Sequence, residues 1–309
     1  MPEPNQFHLP RMRVFLNIIL TLSRASNLPT IWTNCLAAWV INQGNIHDLE
    51  WGVLGWLLLG GSLIYSAGCI LNDAFDQKFD AEFNQHRPIP AGKITPAKVW
   101  VMGMAGMGMG GLILIFRAGC PALWVLLLVV AVLVYDILHK KWKGSVWIMG
   151  SCRTLLWLVA GTAGDHSGLE LNTVIISTTL GLYVVGISLY ARGEAKPNTD
   201  DKNLLPVLLL FLPCLLGLYR VVDLQLFEPE NLFPALFGML FMGWHVGRAV
   251  QIIRNRKIPG GIGAGVSLLL ASICALDGLA LCFHYPPFAP YCYLFFLISL
   301  ILQKKFAAT

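Results

Sequence analysis

Asn72-Asp73-Ala74-Phe75-Asp76-Gln77-Lys78-Phe79-Asp80 follows directly on the apolar stretch 51–71. An apolar run of about twenty residues is long enough to cross a bilayer as a helix. These residues therefore set three carboxylates and an amide at the end of a membrane-buried helix. At about 100° per residue, Asn72, Asp73, Asp76 and Asp80 share roughly a quarter of the helical circumference. Carboxylates crowded on one face repel one another, so a helix that keeps them usually has cations to hold. An oxygen-only ligand set without His or Cys favours a hard cation, and Mg²⁺ commonly joins one or two carboxylates to substrate phosphates. The stretch reads as a magnesium–diphosphate site at a membrane surface, with Asn72, Asp73, Asp76 and Asp80 as ligands.

The rest of the chain supports the membrane reading. Its 309 residues are 56% hydrophobic and only 13% charged, with a mean hydropathy of +0.65, whereas soluble domains carry about 25% charged residues. Ten apolar spans are expected, at 27–43, 51–71, 97–117, 119–137, 145–163, 171–190, 204–222, 231–253, 262–284 and 288–303. The last could instead be a shallow or re-entrant segment. Alternating the loops between two sides leaves 20 of the 22 Lys and Arg residues on one side, with only Arg117 and Arg220 on the other. By the positive-inside rule the rich side is the cytoplasm. It would hold both termini, the Asp-rich segment and the long loops 72–96, 138–145 and 191–203. Residues 11–24 read as a basic amphipathic lead-in along that interface. The whole chain, 1–309, is expected to form a single polytopic membrane domain.

Other classes are disfavoured. The +5 net charge follows from the cytoplasmic bias, so nothing points to nucleic acid. The eight cysteines fall almost entirely in apolar segments without metal-ligand spacing, and read as small core residues. The short apolar stretch 14–22 lacks a small-residue cleavage site, so a cleaved signal peptide is not expected.

Downstream of Asp80 the chain runs Ala-Glu-Phe-Asn-Gln-His-Arg-Pro-Ile-Pro-Ala-Gly-Lys-Ile-Thr. Arg87 is held beside Pro88, and Pro90 and Gly92 shape a turn before the next helix begins near Thr95-Pro96. A fixed guanidinium beside carboxylates can grip phosphate oxygens bidentately. Acids at a helix C-terminus oppose the macrodipole, which counts against a purely capping role.

The pattern Asn72-Asp73-x-x-Asp76-x-x-x-Asp80, followed by Asn84-x-x-Arg87-Pro-Ile-Pro-x-Gly-x-Ile, resembles the first Asp-rich motif of the UbiA superfamily of intramembrane prenyltransferases. The Arg-Pro-Ile-Pro form is most similar to the branch with digeranylgeranylglyceryl phosphate synthase and chlorophyll synthase. Arg24 with Asn27-Leu28-Pro29-Thr30, and Tyr135-Asp136 with Lys140-Lys141, extend the likeness over most of the chain. The resemblance implies an all-α bundle of nine to ten transmembrane helices around a central cavity. It also implies a polyprenyl diphosphate donor, Mg²⁺ as cofactor and a hydrophobic or lipid acceptor. By the same likeness Asn72, Asp73, Asp76 and Asp80 would hold Mg²⁺ and diphosphate, aided by Arg87 and Lys93, and Asn27 would bind substrate.

One segment departs from the family. A second Asp-x-x-x-Asp motif is expected after the sixth helix, but the loop there reads Tyr190-Ala-Arg-Gly-Glu-Ala-Lys-Pro-Asn-Thr-Asp-Asp-Lys-Asn. Glu194 could stand for one aspartate as a catalytic metal ligand, and Arg192 and Lys196 could neutralise the diphosphate directly. The alternative is a solvated loop on a non-catalytic UbiA-like protein that binds or moves a lipid-like precursor.

Among the remaining residues, Arg153 lies about two turns inside an apolar span. Intramembrane arginines are expensive and usually face a cavity or a counter-ion, so Arg153 reads as a substrate or acid partner, with snorkelling as the alternative. Lys140 and Lys141 are either interfacial anchors or phosphate ligands. His139 is a weak candidate base. His245 and Arg248 could line the cavity, and Asp277 could pair with a cation. The Met-Gly run 102–111 offers small-residue helix packing.

Overall fold

The structure, a computed structural model, describes residues 8–44, 50–164, 168–193, 204–255 and 260–306. Among them the secondary structure is helical, without strands. Helix α1 (His8–Leu22) is followed by a 3₁₀ turn (Ala25–Asn27), α2 (Leu28–Gln43), α3 (Trp51–Phe75) and the short α4 (Gln77–Phe83). Next come α5 (Pro96–Phe116), α6 (Ala122–Leu138), α7 (Ser145–Gly161) and α8 (Leu171–Gly193). The last four are α9 (Leu205–Asp223), α10 (Pro229–Arg254), α11 (Gly261–His284) and α12 (Ala289–Gln303).

All ten expected spans are helices within a few residues. Seven are long and apolar enough to cross a membrane by themselves; α6 and α7 are shorter apolar helices, and α2 has 16 residues. The protein is an integral, multi-pass membrane protein.

Two helices form the centre. Most of α2 and α11 is buried, and α2 packs against α3, α7, α8, α11 and α12. Such all-round burial explains why α2 can carry Thr30, Thr33 and Asn34: each is enclosed by protein rather than lipid. The outer helices α5, α6, α9 and α12 instead leave many Leu, Val, Met and Phe side chains exposed, as a surface facing acyl chains requires.

The Met-Gly run does pack a helix closely. A Cβ on Gly103 would meet Leu71 at 2.6 Å, and one on Gly110 would lie 3.0 Å from the Gly60 carbonyl. Helix α5 is thus drawn against the end of α3 that carries the acids. On the same flank, Ile18 and Leu22 of α1 bury against Ile70, Ala74, Ile89, Ile94 and Val99, while Val14, Phe15 and Leu16 stay exposed. The chain then turns at Arg24, whose backbone is left-handed (φ 46°, ψ 51°), a conformation uncommon for a residue with a Cβ. The eight cysteines are free thiols.

Candidate active site

Helix α3 ends at Phe75, and Asp76 is the junction to α4. The helical turn carries through: Asp76 N–H bonds Asn72 O at 2.9 Å and Asp80 N–H bonds Asp76 O at 2.8 Å. The predicted face is therefore preserved, and Asn72, Asp73, Asp76 and Asp80 are all buried.

Each acid, however, meets a different partner. Arg87 Nη1 donates to Asp73 at 2.6 Å and lies 3.4 Å from Asp80, which also accepts from Asn84 Nδ2 at 2.8 Å. Asp76 turns the other way, to His139 Nε2 at 3.1 Å and Lys140 Nζ at 3.4 Å. Asn72 donates to Asp136 at 3.0 Å and accepts from Arg24 at 3.4 Å. Burial pushes the Asp76 carboxyl up, but the His139 hydrogen bond and the charges of His139 and Lys140 outweigh it and leave it below its ordinary value.

His139 is not placed as a free base. Its Nδ1 lies 3.0 Å from the Asp136 carbonyl, which can only accept, so the ring donates there. Its other nitrogen faces the Asp76 carboxylate, and both ring positions are engaged.

As the side chains stand, no three His, Cys, Asp or Glu among the described residues are grouped to hold a metal ion. The reason is visible in the ion pairs, since protein cations occupy Asp73, Asp76 and Asp80. The donor chemistry nevertheless fits a hard divalent cation. The acid face supplies oxygen ligands; the buried Asp136 Oδ2 has no hydrogen-bond partner, and Asp80 Oδ2 has none beyond the charge of Arg87 at 3.4 Å. Asp136 is a fourth carboxylate that the sequence reading noticed only as part of a motif.

Beside this cluster opens a cavity of about 290 Å³ walled by α3, α6, α7, α8 and α11. Arg24, Asn72, Asp136 and Arg192 line one end, while Ile64, Val132, Met149, Val184 and Leu270 make much of the wall. Asn27, Tyr65 and Arg153 also line it. The acid row and the apolar chamber share one residue, Asn72.

Other expected residues lie elsewhere. Lys93 and Lys141 are exposed and make no ion pair with the acids. Lys93 follows Gly92 (φ 67°), and its N–H closes a turn onto Pro88 O. Arg192 does not wait with a free guanidinium: it donates to Lys143 O, His139 O and Ser145 Oγ, tying α8 to the loop before α7. Glu194 and Lys196 lie outside the described residues. Arg153 reaches Asn34 at 2.9 Å and Thr30 at 3.1 Å rather than the acid row. His245 packs against the rings of Phe241 and Phe296 and Arg248 is exposed; neither lines the cavity.

Residues 30–261, well over half of the chain, match the UbiA prenyltransferase family. The chain belongs to the UbiA prenyltransferase family. Among relatives of this member, the 4-hydroxybenzoate octaprenyltransferase of Thiobacillus denitrificans is 35% identical over 89 residues, 28% of each chain. That of Herminiimonas arsenicoxydans is 33% identical over 101 residues, covering 32% of this chain and 31% of its own. The matched stretches thus span less than a third of these curated relatives. A solved structure of digeranylgeranylglyceryl phosphate synthase superposes with a TM-score of 0.60, over 88% of this chain and 99% of that one, at 16% identity. It shows a common fold.

Proposed function

We propose that this protein transfers a prenyl chain from a polyprenyl diphosphate to a hydrophobic acceptor within the membrane, and that it uses Mg²⁺ to do so. One observation carries the reading: the row of acids ends on Asn72, which also lines the apolar chamber. A diphosphate at the acids would thereby lead its chain into a space that excludes water. The names of the relatives, octaprenyltransferases acting on 4-hydroxybenzoate, support an isoprenoid donor.

Asn72, Asp73, Asp76 and Asp80, joined by Asp136, would hold the metal. When bound, Mg²⁺ supplies positive charge to the departing diphosphate. Arg87 already pairs with Asp73 of this acid row and has the fork geometry to grip phosphate oxygens. Arg24 and Arg192 add positive charge at the mouth. As the allylic C–O bond ionises, both electrons stay with the diphosphate, whose charge these donors stabilise. The apolar walls keep water from the carbocation, and the rings of Tyr65 and Tyr135 in the lining offer it π faces. The acceptor then bonds the allylic carbon and gives up a proton. The distribution of Lys and Arg supports a cytoplasmic acid end and cytoplasmic termini.

The test is pyrophosphate release from geranylgeranyl diphosphate by purified protein in detergent, with a lipid extract as acceptor. Release that requires Mg²⁺, stops with EDTA and is lost in Asp76→Ala is the expected result. Metal-dependent binding without release, across several donors and extracts, would overturn the transferase reading in favour of a lipid-precursor binding protein.

A further inference from the structure

Arg153 is a cation in the wall of an apolar chamber, and among the described residues no carboxylate lies within ion-pair distance of it. A membrane interior makes an arginine expensive unless it meets a counter-ion or a cavity. A carboxylate is nearby but is held at one remove. Asn34 accepts from Arg153 Nη1 at 2.9 Å through its Oδ1, and its Nδ2 donates to Asp277 Oδ2 at 2.7 Å. Trp157 Nε1 donates to the other Asp277 oxygen at 3.2 Å.

Asn34, Trp157 and Asp277 are fully buried, and this chain fixes the amide. Its NH₂ must face the acid, so its oxygen must face the guanidinium. Thr30 accepts from Nη2 at 3.1 Å and the Tyr65 ring lies 5.5 Å below. A guanidinium has five N–H donors, and two are used here. The arrangement orients a positive charge without neutralising it by direct contact. A purely apolar ligand would gain nothing from it.

Depth separates this charge from the acid row. Arg153 is eight residues beyond Ser145, which Arg192 contacts near the mouth, and a helix rises about 1.5 Å per residue, or about 12 Å here. On α3, Tyr65 precedes Asn72 by seven residues, again about 10 Å. A diphosphate held by the acids would leave Arg153 to a different group.

We propose that Arg153, positioned by Asn34 and Asp277, binds an oxyanion on the acceptor, so that the acceptor is an apolar molecule carrying a carboxylate or a phosphate. The identity of the ligand as acceptor rests on the transferase reading; the anion site itself does not. The two sources of such an oxyanion, an aromatic acid and a lipid phosphate, are separated in the test.

Equilibrium binding to the full-length protein in detergent is measured by calorimetry for two matched pairs. One is 4-hydroxybenzoate against its methyl ester; the other is an alkylglycerol phosphate against the uncharged alkylglycerol. Wild type is expected to bind the charged member of one pair about ten-fold or more tightly than its neutral counterpart, and that pair names the source. Arg153→Gln removes the preference while Mg²⁺-dependent binding of geranylgeranyl diphosphate persists. Asn34→Leu, which keeps the cation but not its positioning, retains only part of it. Equal binding of charged and neutral members by wild type overturns the proposal, as does a preference that survives Arg153→Gln. Loss of donor binding in Arg153→Gln with the preference intact also overturns it, because it moves Arg153 to the donor. If Arg153→Gln does not fold, the wild-type comparison decides alone, and Arg153→Lys must show a reduced preference of the same sign. Wild type that binds no diphosphate yet keeps the charge preference sinks the transferase reading and leaves the anion site standing.

Discussion

Asn72 donates its side-chain amide to Asp136 at 3.0 Å, joining the last turn of α3 to α6 across the cavity mouth. The bond goes to Asp136 Oδ1, and the buried Oδ2 has no hydrogen-bond partner. Asn72→Leu leaves a buried carboxylate unsatisfied, which costs about 1–3 kcal/mol. The double variant with Asp136→Leu should recover much of that loss. Unfolding free energies in detergent check both, and additive losses would refute the coupling.

Arg87 keeps Asp73 and Asp80 from repelling one another. Arg87→Ala should lower the melting temperature, and millimolar Mg²⁺ should restore more of it than it adds to wild type, because a divalent cation replaces the missing charge. Transfer activity at saturating Mg²⁺ should still fall by on the order of 10²-fold, since the fork for phosphate oxygens is gone. An equal Mg²⁺ response in both proteins would separate Arg87 from the metal site.

The acid face was legible because helical spacing is short-range: four positions within nine residues fix their own common side. What those acids touch was not. His139 and Lys140 meet Asp76 from the loop after α6, 63 residues away for His139. The hints were the position of these residues at the end of an apolar segment and the likeness carried by Tyr135-Asp136 and Lys140-Lys141. The spans were legible because burial in lipid needs long apolar runs, and the structure reproduces them. Asp277 stood out as an acid inside a span, but its tie to Arg153 runs through Asn34, 243 residues away. An asparagine in an apolar run gives no directional signal. Lys93 stands exposed for a local reason, the turn at Gly92 that carries it.

Asp76 sets an acid limit on stability. Its carboxyl lies below the ordinary 3.8 because His139 and Lys140 outweigh its burial. A group whose folded value is depressed stabilises the fold above its unfolded value, and that contribution drains away as pH falls through the folded value. Wild type should therefore lose stability relative to Asp76→Asn below about pH 4 and hold its full difference near pH 5. Melting curves of the two proteins over that range decide it; a difference independent of acid pH would contradict the ion pairs.

Glycine substitutions should separate helix contact from helix propensity. A Cβ on Gly150 would stand 2.6 Å from the Gly181 carbonyl oxygen, a backbone atom that cannot rotate away. Helices α7 and α8 would have to part there, next to Arg153 on one and above Arg192 on the other. Gly150→Ala should cost about 1–3 kcal/mol as overpacking and weaken acceptor binding with it. Gly247 in α10 has nothing within 4 Å of the same added carbon. Gly247→Ala should instead stabilise by up to about 1 kcal/mol, since alanine is the better helix former. Opposite signs for one chemical change, read from unfolding in detergent, would establish that α7 and α8 meet backbone to backbone. Equal signs would mean that they do not.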